Sequence, residues 1–425
     1  MASQRIAEPT LRRPLASRIR WWVLLALCGL SFLTIVDRVC ISAAKNDIAS
    51  DLTISDQTFG FVFGAFALGY AVFMVPSGWA ADRLGPRKFL AIVVAAWSIF
   101  TIGTGLASAV PMLIAIRFLF GAAEAGAYPT AARAIYSWLP ATERGVALGL
   151  LNTGSRLGAA IGLSLISGSI ALIGWRASFV TLGGLGLLWA AWWFWWHRDR
   201  PEQKANVSDA ELRRIQEGHG SSSSQGPACR EGSLLTKDAV FVVLQYFCSN
   251  FTFFLCFSWL LPYLRQNFNL PAQQAALFAS FPLYCGALAT WTSGLTVDAL
   301  FRRGHWNWSR RGPAMAGFAL AALCLLAATR CRTVIPFIVC FSLTTFGVDF
   351  TLSPSWSASS DLGGRRTGTL SASMNTLGSA GAFASSIVFP WLLNETHSVF
   401  AYFAVAAMLN VAAVFLWWRV HLTPR

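Results

Sequence analysis

Stretches of about 20 mostly apolar residues recur from Trp21 almost to the end of the chain, and a helix of that length crosses the hydrocarbon core of a bilayer. Only 12% of the 425 residues are charged and 55% are hydrophobic, against about 25% charged in an ordinary soluble domain. A water-facing surface over most of the chain is thereby excluded. The fold class expected is an all-α membrane protein with twelve transmembrane helices, at 21–44, 58–80, 88–108, 110–134, 145–172, 177–197, 237–264, 273–299, 312–329, 333–357, 367–392 and 398–419. The first run follows several arginines as a secretory signal would, but it continues through Asp37 and Arg38 without a small-residue cleavage site, so it is expected to be a retained helix.

The net charge of +14 would suit nucleic acid if it were gathered on one face. Instead most of the 33 Lys and Arg residues lie at the N-terminus, in loops after even-numbered spans and in the tail. Only Lys45, Arg176, Arg265, Arg330 and Arg332 fall in loops after odd-numbered spans, and Arg38, Arg117, Arg133 and Arg156 fall inside spans. Cationic loops face the cytoplasm, so both termini are expected there and a nucleic-acid partner is not. The organisation expected is a cytoplasmic segment at 1–20, a six-helix bundle at 21–197, a polar linker at 198–236 with a short amphipathic helix near Asp209 to Gln216, a second six-helix bundle at 237–419 and a tail at 420–425. The nine cysteines form no C-x-x-C pair and most lie within apolar spans, where they act as small hydrophobes. No metal and no cofactor is expected, and no H-E-x-x-H or G-x-S-x-G constellation suggests an enzyme.

The halves echo one another. Asn152 to Gly158 reads NTGSRLG and Asn375 to Gly381 reads NTLGSAG, 223 residues apart; Gly78-x-x-x-Asp82 and Gly294-x-x-x-Asp298 repeat at 216. Such echoes are the trace of an internal structural repeat. The loop after the second span, GWAADRLGPRK, places Gly78, Asp82, Arg83, Gly85, Arg87 and Lys88 in the pattern G-x-x-x-D-R-x-G-x-R-K. It resembles the hallmark loop of the major facilitator superfamily. That resemblance implies two pseudo-symmetric six-helix bundles working by alternating access, with these six residues in gating; the second copy is degraded to Gly294, Asp298, Arg302 and Arg303.

Charges inside spans are the sharper signal, because each costs at least ~2.5 kcal/mol at a helix centre unless it is paired or hydrated. Arg117 and Glu124 stand seven residues apart on one helical face. Asp37, Arg38 and Arg117 fall at matching depth, and Glu124 near its span's centre. Two guanidinium forks at one depth suit a carboxylate, and two acids in low-dielectric surroundings suit proton uptake and release. A static ion-pair network is the competing interpretation, although buried pairs are poor stabilisers by themselves. Arg133, near its span's end, is expected to snorkel.

The runs LTIVDRVCISAA (33–44) and RFLFGAAEAGAYPTAARAIYSWLPATERG (117–145) resemble the first- and fourth-span signatures of the anion:cation symporter family, which includes bacterial galactonate, glucarate and hexuronate carriers, sialin and the vesicular glutamate transporters. The resemblance implies substrate-carboxylate contact by Arg38 and Arg117 and proton coupling through Asp37 and Glu124. It adds Tyr70, Ser353, Trp356 and Asn375 as hydroxyl-binding candidates, although buried Tyr, Trp and Asn also serve simply as packing and helix glue. Asp349 and Thr34 depart from the family pattern. Asp349 shares a helix face with Ser353 and Trp356 and is a third titrating site, a partner for Arg156 or a hydroxyl acceptor. The expectation is thus a monomeric proton-coupled symporter of a small organic anion, a hexonate, hexarate or hexuronate, in a bacterial inner membrane. An anion exchanger without proton movement and a non-transporting sensor are the alternatives.

Overall fold

The computed structural model describes residues 18–204, 206–217, 236–363 and 367–422. The ends of the chain, Cys229 and residues 205 and 218–235 of the polar linker lie outside the described residues. In lipid every backbone N–H and C=O needs a partner within the protein, which helices supply along one segment. Among the described residues eleven segments are long and apolar enough to cross a membrane, and one of them, Leu157–Trp196, holds two crossings. Gly174 within it takes φ 78 and ψ 163, a conformation essentially restricted to glycine, and turns the chain back. Gly85, at φ 77 and ψ 159, does the same inside Asp56–Gly105.

Twelve spans result. The first is Ile19–Asp51, the second Asp56–Ala81, the third Arg83–Gly105 and the fourth Val110–Trp138. The fifth and sixth divide Ala141–Trp196 at Gly174. The seventh to twelfth are Lys237–Asn267, Ala272–Arg302, Trp306–Ala328, Val334–Ser359, Leu370–Thr396 and Val399–Arg419. Asp209–Glu217 forms the short linker helix. Span 1 runs beyond the apolar window: no Gly or Pro interrupts Leu30 to Ser50, so the helix continues past Lys45, which is buried and paired with Asp56 rather than lying in a loop.

The two halves share their turns and their packing. Besides glycine, positive φ occurs at Thr53, Asn269 and His397; Thr53 and Asn269 occupy the 1–2 and 7–8 loops 216 residues apart, and Gly174 and His397 the 5–6 and 11–12 loops 223 apart. These are the separations of the sequence echoes. Gly158 lies against Phe32 and Ile35 of span 1, and Gly381, 223 residues on, lies against the Phe247 backbone of span 7. A Cβ on Gly69 would stand 2.1 Å from the Phe118 carbonyl oxygen of span 4, and one on Gly286 2.2 Å from Asp349 of span 10, so small residues bring spans 2 and 4, and 8 and 10, into close approach.

Between the lobes, Gly60 meets the Ser386 carbonyl and Gly64 meets Phe383, joining span 2 to span 11. Ser280 donates to the Ala160 carbonyl (2.6 Å) and Ser42 to the Ser258 carbonyl (2.7 Å). Arg265 pairs with Asp47 at 3.3 Å. These contacts lie in the half of the molecule that carries the 1–2 and 7–8 loops, opposite the chain ends.

Candidate substrate and coupling site

Arg38 and Glu124 meet at the centre of the N-terminal lobe. Arg38 Nε donates to Glu124 Oε1, and Glu124 is the last residue of the helical segment Val110–Glu124 before span 4 breaks at Ala125. The Glu124 side chain is fully buried, whereas that of Arg38 is 18% exposed, which leaves the guanidinium the more accessible partner. Arg38 lies 5.2 Å from the Phe66 ring centroid and 4.8 Å from that of Tyr70. Arg117 also lies 5.2 Å from the Phe66 centroid, and 4.7 Å from Phe120. Both guanidiniums thus share the Phe66 ring as a neighbour, which limits their separation to twice that distance. Such cation–π contacts hold a desolvated cation without consuming its N–H donors. Arg38 Nη2, Arg117 Nε and Glu124 Oε2 are all buried without a hydrogen-bond partner among the described residues. The site therefore has unspent donors of the kind that a carboxylate takes two at a time.

Asp37 points elsewhere. Its carboxylate accepts from Trp97 Nε1 at 3.1 Å and from Thr101 Oγ1 at 3.2 Å, both on span 3, and it is 2% exposed. Sequence reasoning missed Trp97 and Thr101, as it missed Phe66, because nothing distinguishes a Trp, Thr or Phe that faces a charge from one that faces lipid. Tyr128 is a further unforeseen member: its hydroxyl donates to Ser155 at 3.0 Å and lies 3.3 Å from Ser31 Oγ, next to Arg38.

The second-lobe candidates are spread along two spans. Asn375 Nδ2 approaches Met74 Sδ at 3.2 Å across the lobe interface. Trp356 is 43% exposed and packs edge-on against Tyr246. Ser353 Oγ donates to the Thr290 carbonyl of span 8 at 3.5 Å, so its hydroxyl faces the neighbouring helix. Asp349 is fully buried against Gly286. It sits just before the break of span 10 at Thr351, as Glu124 sits before that of span 4, and a proline follows each acid by five residues, Pro129 and Pro354. The Arg156 side chain lies outside the described residues.

At the hallmark loop, Asp199 carries a role that the sequence did not reveal. Its carboxylate accepts from the Arg87 backbone N–H at 2.7 Å and lies against Gly85, which caps the start of span 3 with a negative charge where the helix dipole is positive. Arg87 also donates to the Phe194 carbonyl (2.9 Å), Arg83 lies over Trp79, and Arg133 donates to the Ala81 carbonyl. Gly78 has open space around it and Lys88 is exposed; the Asp82 side chain lies outside the described residues.

Residues 27–386 match the family described as Major Facilitator Superfamily. The chain belongs to the major facilitator superfamily. It is a multi-pass membrane transporter, not an enzyme, and its relatives carry small organic anions. It is 31% identical over 399 residues to the probable sulfoacetate transporter SauU of Cupriavidus necator, covering 93% of each chain. It is 29% identical to the D-galactonate transporter of Escherichia coli, covering 84% of this chain and 85% of that one. With the probable galactarate/D-glucarate transporter GudP of Bacillus subtilis the identity is 27%, over 89% and 87%. Among solved structures, a bacterial homolog to the human lysosomal transporter Spinster, inward-facing and occupied, superposes with a TM-score of 0.76 at 19% identity, covering 95% of this transporter and 97% of that chain. That likeness shows the fold.

Proposed function

We propose that this transporter is a proton-coupled symporter of a small organic anion, a sugar acid of the hexonate, hexarate or hexuronate type, in a bacterial inner membrane with both termini cytoplasmic. The observation that carries the reading is the Arg38–Glu124 ion pair with Arg117 beside the same Phe66 ring. While Glu124 is ionised it occupies one side of the Arg38 fork. A proton on Glu124 removes the charge that holds this pair, and the freed fork, with Arg117, then takes the substrate carboxylate. Proton and anion thus bind together and leave together. Asp37 steadies the neighbouring turn and is a second proton acceptor, and Asp349, at the matching break in the other lobe, is a third. Tyr70, Trp356 and Asn375 serve the substrate's hydroxyls from around the opening, with Ser353 released from the Thr290 carbonyl to join them. Gly78, Asp82, Arg83, Gly85, Arg87 and Lys88 set the gate between spans 2 and 3. With this topology the Ser42, Gly60, Ser280 and Asp47–Arg265 contacts join the lobes toward the outside.

In proteoliposomes, an acidic exterior drives accumulation of labelled substrate. Glu124→Gln abolishes that accumulation and retains exchange of labelled for unlabelled solute. Uptake indifferent to the pH gradient rejects the coupling, and strict dependence on solute inside the vesicle favours an exchanger.

A second substrate reading, a carboxylate bearing a sulfonate in place of hydroxyls, is favoured by the 31% identity to the probable sulfoacetate transporter. Competition of sulfoacetate against galactonate and glucarate in the same assay separates the two.

A further inference from the structure

A concave groove of about 490 Å³ opens on the outer surface of the N-terminal lobe between spans 1 and 6, remote from the arginine pair. Its floor on span 1 is made by Ala26 and Gly29, and its walls by Trp22, Trp192 and Trp196. Trp192 and Trp196 stack with centroids 5.0 Å apart, so the wall is flat and continuous. Trp22 is 62% exposed and Trp192 45%. Tryptophans at the membrane–water boundary are ordinary as a belt; here they enclose an apolar volume within the range of ligand sites.

Lys204 stands at one end of this groove. Its ammonium lies 3.3 Å from the Trp196 centroid and donates to the Trp196 carbonyl at 3.1 Å. Burial and the neighbouring Arg198 lower its pKa to about 8. Arg18 is exposed one residue before span 1. Of the acids nearby, Glu202 is engaged by Gln216, and Glu211 is buried beneath Arg20. The charge at this end is cationic, and basic residues bordering a membrane helix recognise anionic lipid.

We propose that the groove binds one anionic phospholipid, its acyl chain between spans 1 and 6 and its phosphate on the Lys204 ammonium. The floor supplies a clean test, because a Cβ on Gly29 meets nothing within 4 Å. Gly29→Leu therefore fills the groove without displacing protein. Native mass spectrometry of the full chain, titrated in detergent with phosphatidylglycerol or phosphatidylcholine of identical chains, reads the occupancy. The wild type retains phosphatidylglycerol at least tenfold better. Lys204→Gln brings the two lipids to within about twofold, Lys204→Arg keeps the preference, and Gly29→Leu lowers retention of both, all with unchanged lipid-free thermal midpoints. Equal retention by the wild type, a preference that survives Lys204→Gln, or full retention by Gly29→Leu overturns the proposal. So does displacement of the lipid by millimolar inorganic phosphate, which makes the site one for free phosphate.

Discussion

Arg117 shows what a charge needs in order to stay in a membrane interior. It is 3% exposed, lies beside two aromatic rings and keeps an Nε donor unspent among the described residues. Arg117→Lys preserves the charge but replaces a planar fork with a point, so substrate affinity is expected to fall tenfold to a hundredfold, as the loss of a hydrogen bond to a charged group, about 1.5–3 kcal/mol, implies. Equilibrium binding to purified protein measures it. His197, just past the end of span 6, stacks 4.0 Å from Trp193 with both ring nitrogens unpartnered among the described residues. Burial together with Lys204, Arg87 and Arg198 lowers its pKa to about 3. Its neutral form is the one folding favours, so its contribution to stability is full above the usual value near 6.5 and is lost as pH falls toward 3. Thermal midpoints from pH 7 to 4 should fall less in His197→Phe than in the wild type. The arginines and Glu124 were legible because a charge stands out in an apolar run. Trp97, Thr101 and Asp199 were not, because each acquires its role only from a residue far away in sequence.

Among the elements, the two glycine turns and the two glycine contacts make different demands. Gly174 has a positive φ and open space, so Gly174→Ala costs only backbone strain, about 1–3 kcal/mol, and a modest drop in thermal midpoint is expected. Gly69 is helical and packed against the Phe118 carbonyl. A methyl there forces spans 2 and 4 apart, and Gly69→Ala should lose far more folded protein, as judged by monodisperse yield. Hydropathy located the spans because lipid demands unbroken apolar runs. It did not show that span 1 continues to Asp51 or that spans 4 and 10 break beside Glu124 and Asp349. Helix length beyond the hydrocarbon and breaks within it leave the apolar count unchanged.

At the scale of the whole molecule, the echoes at 216 and 223 residues reappear as matched turns and matched glycine packing, so the two-lobe plan was readable. How the lobes meet was not, since interface residues such as Ser42, Gly60 and Ser280 are small residues like any in a membrane helix. The Asp47–Arg265 pair bridges the lobes beside the 1–2 and 7–8 loops, and Asp47→Arg should slow transport by opposing closure there. Adding Arg265→Asp should restore the rate, and no recovery in the double variant assigns the loss to something other than the pair. The central claim is that Arg38 and Arg117 hold one carboxylate in one site. The most direct test is the thermal shift produced by a panel of sugar acids and sulfoacetate on the wild type, Arg38→Lys and Arg117→Lys. At least one of these anions should stabilise the wild type, and either substitution should remove that shift. A shift that survives both substitutions contradicts the claim.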